Sequence, residues 1–316
     1  MGGAAAWYDP RVVSGPLVHA LQADAVAARV IGALEGAGIA AILLKGSALA
    51  DLYPDQPRTY VDADVFVEPA AAERAAAVLA ADGWSDIRAG ALEIERAAHA
   101  STWAHPSLPS SVDLHHTLVG IGRSDEEAWA ILSTHTEPFT VAGQACRRLD
   151  PAGRALHLAL HVSQSGAGYA KGLDDLRRGL DRFEEAVWQA AAALADQLDA
   201  TIAFVTGLGM VPEGAAMADR LGLAAPTLTV AQRLTADTAS SGAKSLAVLA
   251  GRPSPVARLR YAVRRVFPSR TLIRATEPIA ARGSVWLVPG YVTRVVRVLW
   301  RSPRAVREYR AARRAG

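Results

Sequence analysis

The chain has 316 residues, of which 51% are hydrophobic and 21% charged, enough apolar material for one large core or two ordinary ones. Its one cysteine, Cys146, excludes an internal disulfide framework and any multi-cysteine zinc site, and points to a small buried thiol. The net charge of +3 is divided unevenly: residues 252–316 hold sixteen Arg, no Lys and two acids, a net +14 that leaves −11 for the remainder.

From the N-terminus, apolar residues recur at helical spacing through "PLVHALQADAVAARVIGALEGAG", and glycine marks the end of the helix. "IAAILLK" reads as a short buried strand, "GSALADLY" as a helix, and "YPDQPRTY" as a loop punctuated by two prolines. "VDADVFVE" alternates as a strand does, and "PAAAERAAAVLAADG" is an alanine-rich helix with Pro69 in its first turn. Further strands are expected at "ALEIERA", "ASTWAHP" and "SVDLHHTL", which makes the first half a mixed α/β unit.

After Pro151 the strand signals fade. "PAGRALHLALHVSQSG", "GLDDLRRGLDRFEEAVWQAAAALADQL", "EGAAMADRLGL" and "PTLTVAQRLTADTA" predict helices separated by Gly and Pro. "AGRPSPVARLR" is the best linker, and beyond it "RLRYAVRRVF" and "YVTRVVRVLWRSPRAVREYRAARR" predict basic amphipathic helices. The expected division is 1–150, 151–251 and 252–316. The apolar runs at 186–211 and 284–300 are broken by Asp196 and Asp199, and by Pro289, Gly290 and Arg294, so neither predicts a bilayer span. No signal peptide is recognisable, and a cytoplasmic location is expected.

The carboxylates carry the chemistry. On a strand Asp62 and Asp64 project to one face, while Val61, Ala63 and Val65 face the other way. Two carboxylates so close repel unless a cation neutralises them, and Mg²⁺ or Mn²⁺ is the expected counter-ion, held together with substrate phosphates. Asp-x-Asp also occurs as solvated loop residues, but "YVDADVFV" surrounds this pair with strand formers. Asp113 in "SSVDLHHTL" is either a strand-end acid or a third ligand; neighbouring strands lie about 4.8 Å apart, so three carboxylates could surround two metal ions. Gly46 allows close backbone approach before the helix expected near Ser47, and Lys45 or Arg58 could add charge-assisted contacts to a triphosphate. The P-loop pattern is absent.

His157 and His161 share a helix face and read first as packing residues; Asp174 and Asp175 read as partners of Arg177 and Arg178. His99, His105, Trp84 and Trp103 read as core, with a pocket lining as the alternative. The arginine-rich end has three readings: nucleic-acid phosphates, an anionic membrane surface, or docking on the acidic body, which its interleaved Val, Leu, Trp and Tyr favour.

"LLKGSALADLYPDQPRTYVDADVFV" resembles the signature of the uncharacterised bacterial nucleotidyltransferase family within the DNA polymerase beta superfamily, on Lys45, Gly46, Tyr53, Pro54, Arg58, Asp62 and Asp64. "VDLHH" is similar to the later family strand, which implies Asp113 as third metal carboxylate and His115 as its active-site neighbour, and the resemblance runs from about Ile39 to Arg301. It implies an α+β mixed-sheet nucleotidyltransferase core, a mostly helical domain and a basic helical C-terminal segment. It further implies catalysis by Asp62, Asp64 and Asp113 on an NTP substrate bound by Lys45, Gly46, Ser47, Arg58 and His115. The expected acceptor is a hydroxyl or phosphate on a peptide, glycan or small metabolite rather than RNA. A tRNA-modifying toxin-type enzyme is the enzymatic alternative. A non-catalytic nucleotide binder is the other, supported by Val61 where many relatives carry a small residue.

Overall fold

The computed structural model describes residues 15–87 and 99–315, and the strand expected at "ALEIERA" lies outside them. The described chain forms two compact units, 15–87 with 99–118 and 122–157, and 119–121 with 158–315; the division falls inside one helix.

The first unit is built on a seven-stranded mixed sheet of order β3-β4-β5-β2-β1-β7-β6. Its strands are β1 (Ala41–Leu43), β2 (Asp62–Val67), β3 (Ser85–Asp86), β4 (Ala100–Ala104), β5 (Ser111–His115), β6 (Thr136–Val141) and β7 (Gln144–Leu149). Its helices are α1 (Pro16–Gly36), α2 (Ala72–Ala81) and α3 (Asp125–Leu132). α1 is long and apolar enough to cross a membrane by length and composition. Here Val26, Val30, Ile31 and Leu34 instead pack with Ala63, Val65, Val67, Val112 and Leu114, on the sheet face that α2 covers through Ala75 and Leu79. Ile31 and Leu34 are wholly buried, so truncating either to Ala should cost about 2–5 kcal/mol. Strand alternation sends Asp62, Asp64, Phe66, Asp113 and His115 to the opposite face, where Phe66 meets Trp129 of α3 edge-on at 5.0 Å.

Several elements depart from the sequence reading, and α3 and β3 fall in stretches read as no element. Residues Gly46–Leu52 form a 3₁₀ helix, tighter than the expected α-helix. The β6–β7 hairpin, read as no element, turns on Ala142 and Gly143, both at positive φ. Pro138 disguised the first of these strands; it is tolerated because β6 is an edge strand. Trp84 and Trp103 are core residues of this unit, and Cys146 is a buried thiol as its isolation implied.

The second unit is helical. It begins within α4 (Pro151–Ser165) and continues through α5 (Ala170–Arg182), α6 (Glu185–Gln197), α7 (Thr201–Leu208), α8 (Pro212–Arg220), α9 (Val230–Ala236) and α10 (Ser241–Ala250). α11 (Pro255–Val266), α12 (Arg270–Thr276), α13 (Pro278–Ala281) and α14 (Leu287–Arg314) follow. The helical run expected from Gly172 to Leu198 is broken between α5 and α6, where Phe183 is extended. Trp188, Leu176, Phe204 and Leu208 are fully buried, and Leu234, Ala243 and Ala312 join α9, α10 and α14.

Candidate active site

β2 and β5 run parallel in the register Asp62 to Ser111, Asp64 to Asp113 and Phe66 to His115, so two carboxylates stand side by side on adjacent strands. Neighbouring backbones in a sheet are about 4.8 Å apart, and same-face side chains cannot diverge far over that distance. Asp64, Asp113 and His115 accordingly place ligand atoms within 4.8 Å of one another, the metal-compatible group of this kind among the described residues. Asp62 lies one pleat earlier on the same face and is not part of that trio.

Asp64 is the electrostatic centre. Its Oδ1 accepts from Lys45 Nζ at 2.8 Å and lies 3.0 Å from His115 Nε2. Burial pushes the Asp64 carboxyl upward, but the Lys45 ammonium and the His115 contact outweigh it and hold the group well below the usual carboxylate range. An ionised Asp64 accepts at this contact, so Nε2 carries its proton and Nδ1 is the nitrogen that can offer a lone pair in the neutral tautomer. That Nδ1 and Asp113 Oδ1 are buried without a hydrogen-bond partner. Buried polar atoms are nearly always satisfied, and two orphans in one carboxylate–imidazole cluster fit a site that receives a cation. The ring of His99 lies 5.6 Å from that of His115, and its pKa is lowered by burial first and then by His115 and Lys45, while Asp113 opposes.

The turn before this cluster is tightly built. Gly46 has φ +67, and a Cβ there would come within 3.2 Å of the Tyr60 ring. Arg58, only 5% exposed, donates to Gly46 O at 3.4 Å and lies 5.6 Å over the Tyr60 ring. The Tyr60 hydroxyl donates to Asp24 Oδ1 at 2.8 Å, which ties the turn to α1. Burial raises the Asp24 carboxyl, with the Ser47 and Tyr60 hydroxyls pulling it back. The structure thus brings together Lys45, Gly46, Asp64, Asp113 and His115, sets Arg58 beneath the turn and Ser47 beside Asp24. Asp24 and Tyr60 escaped the sequence reading; a carboxylate on the apolar stripe of α1 was the available signal. Val61 is 59% exposed, consistent with its place just before β2 rather than inside it.

The model of a family described as uncharacterised nucleotidyltransferase matches residues 17–214, more than half of the chain. The chain belongs to that family. As a nucleotidyltransferase it is an enzyme that transfers nucleotidyl groups. No curated protein matches it. Among solved structures it is similar to the antibiotic-resistance factor ANT(2'')-Ia, at 12% identity and TM-score 0.42, over 56% of this chain and 93% of that one. It is also similar to an antigenic nucleotidyltransferase-like protein from Paracoccidioides brasiliensis, at 15% identity and TM-score 0.37, over 57% and 93%.

Proposed function

We propose that this nucleotidyltransferase is metal-dependent and moves an NMP unit from an NTP to a hydroxyl on a peptide, glycan or small metabolite, releasing pyrophosphate. The observation that carries the proposal is the in-register Asp64–Asp113 pair with an unpartnered oxygen on Asp113 and an unpartnered nitrogen on His115. Asp64 and Asp113 would hold Mg²⁺ or Mn²⁺, with Asp62 completing the carboxylate set on the same face. The ion supplies charge neutralisation for the triphosphate and makes the acceptor hydroxyl more acidic.

The remaining roles belong to side chains. His115 fixes Asp64 through Nε2, and the Lys45 ammonium favours the ionised form of that carboxylate. Asp113, to which no donor is committed through Oδ1, takes the proton of the acceptor hydroxyl as its oxygen bonds to the α-phosphorus. The bond from that phosphorus to the β,γ-diphosphate breaks, and pyrophosphate leaves. Lys45 and Arg58 supply positive charge on the triphosphate side, while the left-handed turn at Gly46 and the Ser47 hydroxyl orient it.

Labelled NTP tests this reading. With acceptor mixtures and Mg²⁺, label on the α-phosphate should pass to an acceptor while label on the γ-phosphate leaves as pyrophosphate. Transfer of the γ-label, or nucleotide binding indifferent to both Mg²⁺ and the loss of Asp64, would oppose it.

A further inference from the structure

The helices α11 and α14 show solvent a pattern that the site above does not use. On α11, which has no buried residue, Val256, Leu259 and Val263 recur at steps of three and four and are all exposed, and the exposed Phe267 follows the helix end. On α14, Val288, Val292, Val296 and Leu299 repeat the pattern, with Trp300 beside them at 79% exposure. Three- and four-residue steps place each set along one side of its helix. Past Leu299 the same spacing runs into Arg307, Arg310 and Arg314, while Arg260 and Arg264 flank the α11 set; all five lack an ion pair among the described residues.

The segment's two acids cannot oppose a negative surface. Glu277 is 1% exposed and bound by Arg297 at 2.7 Å, and Glu308 is bound by Arg304 at 2.7 Å. Apolar stripes edged by arginine, with an exposed Trp, have the composition of interfacial helices that sink one side into the headgroup region. Duplex or single-stranded nucleic acid would use the arginines but gain little from rows of Val and Leu. A second copy meeting this surface through the same two helices would bring +14 against +14.

We infer that α11 and α14 form a peripheral docking surface for a bilayer rich in anionic lipids, independent of nucleotidyl transfer. The full chain should sediment with phosphatidylcholine vesicles containing phosphatidylserine at least about tenfold better than with phosphatidylcholine alone, and salt should reduce the difference. Val292→Asp with Val296→Asp, both at exposed positions, should abolish sedimentation with circular dichroism unchanged. Arg260→Gln with Arg264→Gln should weaken it by roughly tenfold, and Trp300→Phe should reduce quenching of tryptophan emission by brominated phosphatidylcholine mixed with phosphatidylserine. Equal sedimentation with neutral and anionic vesicles would overturn the inference. So would a vesicle-free dimer or retained RNA that the two Asp substitutions abolish.

Discussion

Replacing Lys45 with Met removes the ammonium that keeps Asp64 ionised. The two side chains are 16% and 6% exposed, so solvent screens the pair little. At 2.8 Å the gross attraction is about 6 kcal/mol for an effective dielectric of 20, most of it offset by desolvation. What the substitution exposes is the cost of a buried carboxylate left with His115 alone. Losing one partner of a buried pair costs about 3–5 kcal/mol, and the residual exposure of Lys45 argues for about 3 kcal/mol. Thermal unfolding of the sheet unit, followed by circular dichroism, should fall by roughly 10 °C. The Asp64→Asn background should return at least about 1.5 kcal/mol of that loss, because no charge then remains to be stranded. The pH dependence carries the sign. Asp64 titrates lower when folded than unfolded, so the pair's contribution is complete above about pH 4 and disappears as pH falls through the folded value. The difference between wild type and Lys45→Met should therefore be flat from about pH 5 to 8 and shrink in acid. A loss under about 1 kcal/mol, or additive effects in the double variant, would refute the assignment of Lys45 as the partner that neutralises Asp64.

Other substitutions separate stability from chemistry. Asp113→Asn removes a carboxylate beside Asp64 whose Oδ1 has no donor, so denaturation should show stability unchanged or raised by up to about 1 kcal/mol while nucleotidyl transfer falls at least about 100-fold. Gly46→Ala forces a side chain into a left-handed backbone 3.2 Å from Tyr60 and should cost about 1–3 kcal/mol by chemical denaturation. Ser124→Ala removes the capping box of α3 and should cost about 1 kcal/mol in the same assay. Burial pushes the Cys146 thiol up to about 11, so iodoacetamide at neutral pH should label it only after unfolding.

The legible parts of the sequence were those where periodicity and chemistry coincide. Alternation through "VDADVFV" set Asp62 and Asp64 on one face, and "VDLHH" did the same for Asp113 and His115, because a pleated strand leaves no other choice. Which strands are neighbours is a long-range property that no local pattern encodes; the parallel β2–β5 register alone turned separate acids into a cluster. The same limit hid the use of Lys45 on Asp64 rather than on solvent, and of Arg58 as a support beneath Gly46. The break at Phe183 has no Gly or Pro to announce it. In the basic end, composition gave charge and helicity, but only the fold shows which apolar residues of α11 and α14 stay exposed.

The proposed function requires Asp64 and Asp113 to act together on a divalent cation during nucleotidyl transfer. The most direct test is the Mg²⁺-dependent transfer rate from α-labelled NTP by wild type, Asp64→Asn and Asp113→Asn, each with its fold verified. The expected result is a Mg²⁺-dependent wild-type rate and losses of at least about 100-fold in both variants, with little further loss when the two are combined. Transfer by either folded variant within a few-fold of wild type would contradict it.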